Sequence, residues 1–377
     1  MLELARTRAV LERGIAERWQ AGAQLHVSRE GERGGLALGL ARPGAPMRED
    51  TLVLWFSSVK PLMSVAIGQL VERGLVGLDD PAARPLPEFA ANGKDAITLR
   101  HLLTHTAGIP NAHRTWSRES WEEILAKICA AAIEPGWVVG RDCGYHVASA
   151  WYVLGEIVRR CDGRTYDRYV REAIFAPLGV DEFWVGMSAA DHAAQRERIA
   201  HPYDASGGKL EPIEYWAWTG SEEAVALCRP GGSGWGTARA LGRFYELLLS
   251  GGAIGDGSRV LASDTIACLT ACALPGVLDR GFVTRLDRGL GFVLDSRVYG
   301  VRLVRHARVR ASVRPRRLLL VGRVRRSRAP ARGRAGLERR DRAGAPRGAP
   351  ARDTRRSVPG PRVVVSPLDD RCGDLSR

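Results

Sequence analysis

The 377-residue sequence has only four lysines and no apolar run of the roughly 18 residues that a membrane span requires. Its first stretch, MLELARTRAVLERGIAERWQ, has the pattern of an amphipathic helix and lacks the apolar core of a signal peptide. The seven cysteines are an odd number without a C-x-x-C pair, and Cys268 and Cys272 are expected to be small core residues. We therefore expect a cytoplasmic globular protein.

The formal charge of +14 is confined to the C-terminal tail. Residues 301–377 hold 23 Arg and 6 acidic residues, a net charge of +17, so the first 300 residues carry −3. The tail also lacks Lys, Asn, Gln, Ile, Met and all aromatic residues, so it has little with which to form a core, and we expect disorder. It is either a natural basic arm or an out-of-frame translation of a GC-rich gene. The second interpretation is favoured, because the absent residues mostly have A/T-rich codons.

The pattern of the first 300 residues indicates an α+β fold with a helical insertion. Two strands around QLHVSRE and GGLALGLA are joined by a turn at Gly31, and a further strand is predicted at GLGFVLDSR, residues 289–297. Helices are predicted at 2–20, 58–73, 98–105, 119–132, 147–161, 165–175 and 237–250.

One stretch, TLVLWFSSVKPLMSVAIGQLVERG, carries a candidate catalytic pair. Ser57 and Lys60 are three residues apart and share a helix face, and Pro61 is tolerated because it falls in the first turn. A serine hydroxyl needs a base, and an ordinary lysine, with a pKa of about 10.4, is protonated at neutral pH. Burial and the positive helix terminus lower that pKa, which would let Lys60 deprotonate Ser57.

The Ser-x-x-Lys spacing alone is weak evidence. With 20 Ser and 4 Lys in the chain, about 0.2 such pairs are expected by accident. Ser57 as a helix cap and Lys60 as a surface residue with an extended side chain therefore remain an alternative.

Four blocks in order, over about residues 20–295, resemble the serine β-lactamase-related hydrolases, which include class C β-lactamases, D-alanyl-D-alanine peptidases and esterases. The blocks are LWFSSVKPLMSVAIGQLVERGLVGLDDP, LPEFAANGKDAITLRHLLTHTAGIP, YHVASAWYVLGEIVRRCDGRTYDRYVREAIFAPLGV and PGGSGWGTARALGRFYELLLSGG. The resemblance implies that Ser57 is the acylated nucleophile, Lys60 its base and Tyr145 a proton shuttle. Tyr152, in a predicted helix, is expected to be a packing residue instead.

Two departures from the family pattern concern the second and third motifs. The usual Tyr-x-Asn is Tyr145-His146-Val147 here, so the amide that would orient Lys60 or the substrate is missing. No Lys-Thr-Gly or His-x-Gly occurs, and His306, near the expected place, lacks the glycine. The resemblance ends about where the tail begins, which is the further reason for favouring a reading-frame change.

Other signals are weaker. His101 and His105, four residues apart, have a zinc-binding spacing without the Glu of H-E-x-x-H, so a structural role is expected. GGSGWG around Ser233 fails the G-x-S-x-G pattern and is expected to be a turn near the cleft. Trp216 and Trp218 are expected either to line a pocket for an acyl or aromatic group or to pack in the helical lobe. The sequence has no P-loop or G-x-G-x-x-G.

The sequence therefore predicts a β-lactamase/transpeptidase-like fold with an antiparallel sheet flanked by helices and a helical lobe. The hydrolase domain is 1–300, with an α/β lobe at about 1–75 and 236–300, a helical lobe at about 76–235, and the tail at 301–377. We expect a serine hydrolase of small-molecule esters or amides, carboxylesterase-like, with no metal or organic cofactor and no membrane partner. The alternatives are β-lactamase or D-alanyl-D-alanine peptidase activity, and an impaired hydrolase whose tail binds nucleic acid non-specifically.

Overall fold

The computed structural model describes residues 3–112, 118–204, 211–212, 220–255 and 257–299. The predictions for the tail 301–377, for His306 and for Trp216 and Trp218 lie outside these residues.

The N-terminal part is a helix followed by an antiparallel sheet. Helix α1 covers Ala5–Ala16, shorter than the predicted 2–20, and strands β1 (Gly22–Arg29) and β2 (Glu32–Arg42) form the predicted hairpin. The turn contains Gly31 with a φ of 87°, a left-handed conformation that glycine adopts without strain. Strand β3 (Ala45–Pro46) pairs with β2, so the sheet order is β1-β2-β3.

Helix α2 (Lys60–Glu72) is the central element of the core. Eleven of its thirteen residues are buried, so it is apolar almost all round, as expected of a helix enclosed by other elements. It follows strand β4 (Val53–Leu54) and a 3-10 turn, Phe56–Val59, and Pro61 lies in its first turn as predicted. Helices α5 (Ser149–Asp162) and α10 (Ser263–Thr270) pack against it.

The predicted helices of the middle region are present, and most begin at a capping side chain. Thr98 and Ser120 accept hydrogen bonds from the N–H groups of His101 and Glu123, and α5 ends at left-handed Gly163. The helices are α3 (Leu99–Leu103), α4 (Trp121–Ala130), α5 (Ser149–Asp162), α6 (Tyr166–Tyr169), which continues as a π-helix (Val170–Phe175), α7 (Ala189–Gln195), α8 (Glu222–Ala226), α9 (Ala238–Leu249) and α10 (Ser263–Thr270). Further 3-10 turns cover Pro87–Gly93, Ala176–Leu178, Arg196–Arg198 and Arg297–Tyr299.

A small sheet brings distant segments to the start of α2. Strand β8 (Gly234–Gly236) lies between β4 and β5 (Phe183–Val185), with Leu54 opposite Trp235. A Cβ on Gly234 would lie 2.2 Å from Cγ1 of Val59, so only glycine permits this approach. The short strands β6 (Tyr203–Asp204) and β7 (Glu211–Pro212) pair separately.

The prediction of a strand at 289–297 is wrong. The strands in this region are β9 (Leu274–Asp279) and β10 (Thr284–Arg288), an antiparallel hairpin that the sequence analysis did not predict. Residues 289–296 form a loop that packs on the core, where the N–H groups of Leu290 and Gly291 donate to the carbonyls of Leu269 and Leu103. Gly291 has a φ of 78°, which interrupts an extended strand.

Among the described residues, two clusters of buried side chains make up the core. The larger surrounds α2 and α5, and the smaller consists of Leu52, Trp184, Met187, Ile199, Val225 and Trp235. None of the described helices combines the length and the apolar character that crossing a bilayer requires.

Candidate active site

Ser57 lies on the 3-10 turn that leads into α2, and its side chain is half-buried. The preceding residue, Phe56, has a φ of 45°, a left-handed conformation that is unfavourable for a bulky side chain. Such backbone strain costs about 1–3 kcal/mol and persists only where the surrounding structure fixes it. Because α2 is enclosed by the core, the turn that carries Ser57 is held rigidly.

The amine of Lys60 has three hydrogen-bond partners. Its Nζ lies 3.0 Å from Oγ of Ser57, 3.0 Å from the carbonyl oxygen of Val147 and 2.7 Å from that of Gly231. The residue is only 4% exposed. The alternative of a solvent-exposed Lys60 is therefore wrong, and the predicted pair of hydroxyl and amine does meet.

The surroundings of Lys60 favour its neutral form. Burial lowers the pKa of Lys60 well below its ordinary value. A neutral amine has two N–H donors and one lone pair. The carbonyls of Val147 and Gly231 can only accept hydrogen bonds, so in the neutral form they take the two N–H groups and the lone pair faces Oγ of Ser57, whereas in the charged form the third N–H donates to that oxygen. The neutral form has the arrangement of a base with its proton donor.

Tyr145 completes the cluster around the hydroxyl. Its side chain shares a hydrogen bond with that of Ser57, and its ring centroid lies 5.0 Å from Nζ of Lys60. Burial raises the pKa of Tyr145 to about 12, so the phenol keeps its proton at neutral pH. The ring of Phe282 packs on the ring of Tyr145 with centroids 4.7 Å apart.

The departure from Tyr-x-Asn has a visible structural counterpart. At the position of the missing asparagine, Val147 contributes its backbone carbonyl to Lys60. The loop that carries this carbonyl is fixed by Asn111, whose Oδ1 accepts a hydrogen bond of 3.2 Å from the N–H of Ala148. The orientation of Lys60 therefore does not depend on a side-chain amide.

The weaker candidates fall outside this cluster. Nδ1 of His101 accepts a hydrogen bond from the N–H of Thr98, and Nδ1 of His105 accepts one from the N–H of His146, so both imidazoles have protein partners. In the described ranges no three His, Cys, Asp or Glu side chains form a group that could hold a metal ion. Ser233 is fully buried and hydrogen-bonds the backbone of Arg229, next to the turn at Gly231, whose carbonyl binds Lys60.

Tyr152 lies in the core. It is 3% exposed, and its ring centroid is 5.0 Å from that of Trp121. This contact agrees with the expectation that Tyr152 is a packing residue.

Several residues that shape the site could not be identified from the sequence. Gly231 gave no signal because its contribution is a backbone carbonyl, and Trp151, whose ring lies 5.2 Å from Nζ of Lys60, was not among the candidate residues. Asp279 accepts a hydrogen bond from the N–H of Tyr145 but lies 134 residues further along the chain. Asp279 could have been placed beside the backbone of Tyr145 only by predicting the β9–β10 hairpin.

Comparison with known proteins identifies similar sequences and structures. A sequence profile described as Beta-lactamase matches residues 7–321, a range that extends into the Arg-rich tail. Esterase EstB from Burkholderia gladioli is 32% identical over 302 residues, which cover 73% of this chain and 71% of EstB. The esterase/beta-lactamase LipL from Mycobacterium tuberculosis is 27% identical over 267 residues, 66% of this chain, and the match spans only 62% of the length of LipL.

The fold also matches a solved structure. The crystal structure of a family VIII carboxylesterase superposes with a TM-score of 0.64 and 26% identity, covering 78% of this chain and 82% of that one. The predicted α+β fold of the β-lactamase/transpeptidase type is thereby confirmed.

Proposed function

The chain belongs to the beta-lactamase family, and from this we propose that it is a carboxylesterase-like serine hydrolase in which Ser57 is the nucleophile. The observation that carries the proposal is the contact of 3.0 Å between Nζ of Lys60 and Oγ of Ser57 beneath the phenol of Tyr145. The substrate class is a small-molecule ester, with amides as the less favoured alternative.

Lys60 rather than Tyr145 is the base in this proposal. Of the two groups, only the amine has a pKa shifted in the direction that frees a lone pair near neutral pH. The phenol, with a pKa of about 12, is a proton donor under the same conditions. The two residues therefore have complementary roles.

The proposed acylation exchanges one acyl–oxygen bond for another and moves one proton, net, from Ser57 to the leaving group in three transfers. Oγ of Ser57 forms a bond to the carbonyl carbon while its proton passes to Nζ of Lys60. The tetrahedral intermediate then expels the alkoxide, which takes the proton of the Tyr145 hydroxyl, and the tyrosinate regains a proton from the Lys60 ammonium. Water hydrolyses the acyl-enzyme by the reverse transfers.

An esterase is favoured over a β-lactamase or a D-alanyl-D-alanine peptidase for two reasons. Val147 replaces the side-chain amide of the second motif, and the relatives EstB and the family VIII carboxylesterase are named as esterases. LipL, named as both an esterase and a beta-lactamase, supports keeping β-lactam hydrolysis as the alternative. A cytoplasmic location remains a prediction, as does the two-lobe division.

The experiment compares hydrolysis of p-nitrophenyl acetate by the wild type, Ser57→Ala and the matched control Ser58→Ala, the next residue of the same turn. Ser57→Ala is expected to lose the burst and turnover, whereas Ser58→Ala retains both. Mass spectrometry after a brief incubation should find the acetyl group on the peptide that contains Ser57. Equal turnover by the wild type and Ser57→Ala would refute the assignment of Ser57 as the nucleophile. Nitrocefin, assayed in parallel, tests the β-lactamase alternative.

A second candidate function is an impaired hydrolase with a polyanion-binding tail. The net charge of +17 in residues 301–377 favours it, because clustered Arg side chains bind phosphate groups non-specifically. The absence of Lys-Thr-Gly and His-x-Gly from the sequence supports impairment. If the full chain turns over p-nitrophenyl acetate, the hypothesis that its catalysis is impaired is refuted.

A further inference from the structure

The backbone on either side of Tyr145 is held at three consecutive N–H groups. The N–H of Gly144 donates to the carbonyl oxygen of His105 over 3.1 Å, and that of His146 donates to Nδ1 of the same histidine over 2.9 Å. The N–H of Tyr145 itself donates to Oδ1 of Asp279 over 3.3 Å. His105 therefore binds both neighbours of the tyrosine, one with its backbone and one with its imidazole.

His105 is suited to this double contact by its conformation. Its φ is 62°, in the left-handed region where His and Asn are among the few non-glycine residues that occur with any frequency. The side chain is only 3% exposed, and its ring centroid lies 4.9 Å from that of Tyr145. Burial lowers the pKa of His105 well below its ordinary value, so the imidazole is neutral and Nδ1 is free to accept.

Asp279 holds the same loop from the opposite element. Its Oδ1 also accepts hydrogen bonds of 2.9 Å each from the N–H groups of Gly281 and Phe282 at the turn of the β9–β10 hairpin. Its Oδ2 is paired with the buried guanidinium of Arg288. The hairpin turn, which also carries the ring that packs on Tyr145, is thereby linked to the tyrosine backbone.

We propose that His105 is a positioning residue for Tyr145, which aims the phenol at the leaving-group oxygen by holding the N–H groups of Gly144 and His146. The inference rests on the proposed function, since it assigns a role within the same site. A displacement of about 1 Å of a catalytic group can cost roughly 100-fold in rate.

If His105 positions Tyr145, the rate loss in His105→Ala should depend on the leaving group of the ester. A general loss of structure would not produce such a dependence. An alkoxide is a poor leaving group, so its departure needs the proton of the Tyr145 hydroxyl. A p-nitrophenolate leaves as a stabilised anion and hardly needs that proton. General acid catalysis contributes about 10²–10⁴-fold where it is needed. A misplaced phenol should therefore slow alkyl esters and spare p-nitrophenyl esters.

The experiment measures kcat/KM, which reports acylation and not the shared deacylation step, for ethyl acetate and p-nitrophenyl acetate with His105→Ala, His105→Asn and His101→Ala, per active site titrated by the p-nitrophenol burst. His105→Ala is expected to lose about 30–100-fold on ethyl acetate and less than about 3-fold on p-nitrophenyl acetate. His105→Asn should restore most of the loss, because its Oδ1 takes the place of Nδ1 and asparagine tolerates the same φ. His101→Ala, a nearby histidine outside the site, should leave the ratio of the two rates unchanged.

If His105→Ala leaves the ratio of the two rates unchanged, whether both rates fall equally or neither falls, the inference is overturned. If His105→Ala does not fold, His105→Gln, which moves the acceptor by one carbon, replaces it against His105→Asn with the same two outcomes. The proposed function is tested separately by Ser57→Ala. Loss of activity in Ser57→Ala with an unchanged ratio in His105→Ala rejects only the positioning role. Full activity in Ser57→Ala rejects the function itself.

Discussion

Replacing Lys60 by methionine tests the neutral amine on which the site depends. The substitution removes a base that is 4% exposed and fills its place with an apolar side chain of similar length. General base catalysis contributes about 10²–10⁴-fold, equivalent to about 2.7–5.4 kcal/mol of transition-state stabilisation. Turnover of p-nitrophenyl acetate should fall by that range. In the wild type, kcat/KM should decline tenfold per pH unit as the pH falls below the lowered pKa of Lys60.

Lys60→Met should also change how the free energy of unfolding depends on pH. Because the pKa of Lys60 is lower in the folded than in the unfolded chain, the unfolded chain binds one more proton at pH values between the two. Wild-type stability therefore gains up to about 1.4 kcal/mol per pH unit from this group as the pH rises, until the ordinary value of 10.5 is reached. Lys60→Met lacks this contribution.

The methionine variant also leaves the carbonyls of Val147 and Gly231 without their donor. Each such loss costs about 1–3 kcal/mol and is independent of pH, so it shifts the whole stability curve without changing its slope. The informative quantity is thus the difference in free energy of unfolding between wild type and variant, measured by urea denaturation at several pH values from about 7 to 9. A difference that stays constant with pH would refute the neutral amine, whatever the activity of the variant.

Three further predictions concern the fold and the tail. Gly234→Ala places a Cβ 2.2 Å from a core methyl and should lower the free energy of unfolding by about 1–3 kcal/mol, whereas Gly232→Ala, which meets nothing within 4 Å, should leave the thermal midpoint unchanged. Arg288→Met strands the buried carboxylate of Asp279 and should cost about 3–5 kcal/mol in urea denaturation; a loss below 1 kcal/mol would contradict a buried ion pair. A chain ending at residue 300 should lose retention on immobilised DNA at low salt, and unchanged retention would discard the tail as a polyanion site.

The sequence was sufficient to predict the elements that carry local signals. The apolar residues of α2, with Pro61 in its first turn, indicated a core helix, and the turn at Gly31 indicated the first hairpin. The pair of Ser57 and Lys60 could be predicted because helix geometry alone places residues three apart on one face. These are short-range consequences of the backbone, and the structure agrees with them.

The contributions that were missed come from residues far apart along the chain. The carbonyls of Val147 and Gly231 lie 87 and 171 residues after Lys60, and a backbone carbonyl has no residue type that a pattern could detect. The β9–β10 hairpin was missed because Gly276 and several charged residues break its apolar alternation, whereas GLGFVLDSR resembled a strand. That segment is a loop because Gly291, with a positive φ, packs against the core.

The missing asparagine illustrates why a motif and its chemistry are separable. From the sequence, Val147 in the second motif removed the group expected to orient Lys60. In the structure, two carbonyls hold the amine, and they do so more selectively than an amide would, because a carbonyl accepts only and leaves no competing donor near the Ser57 hydroxyl. A side-chain amide also offers N–H groups, which could bind a second polar substrate group. Its replacement by a backbone contact keeps Lys60 in place while removing one means of recognising an amide substrate, which supports the proposed preference for simple esters.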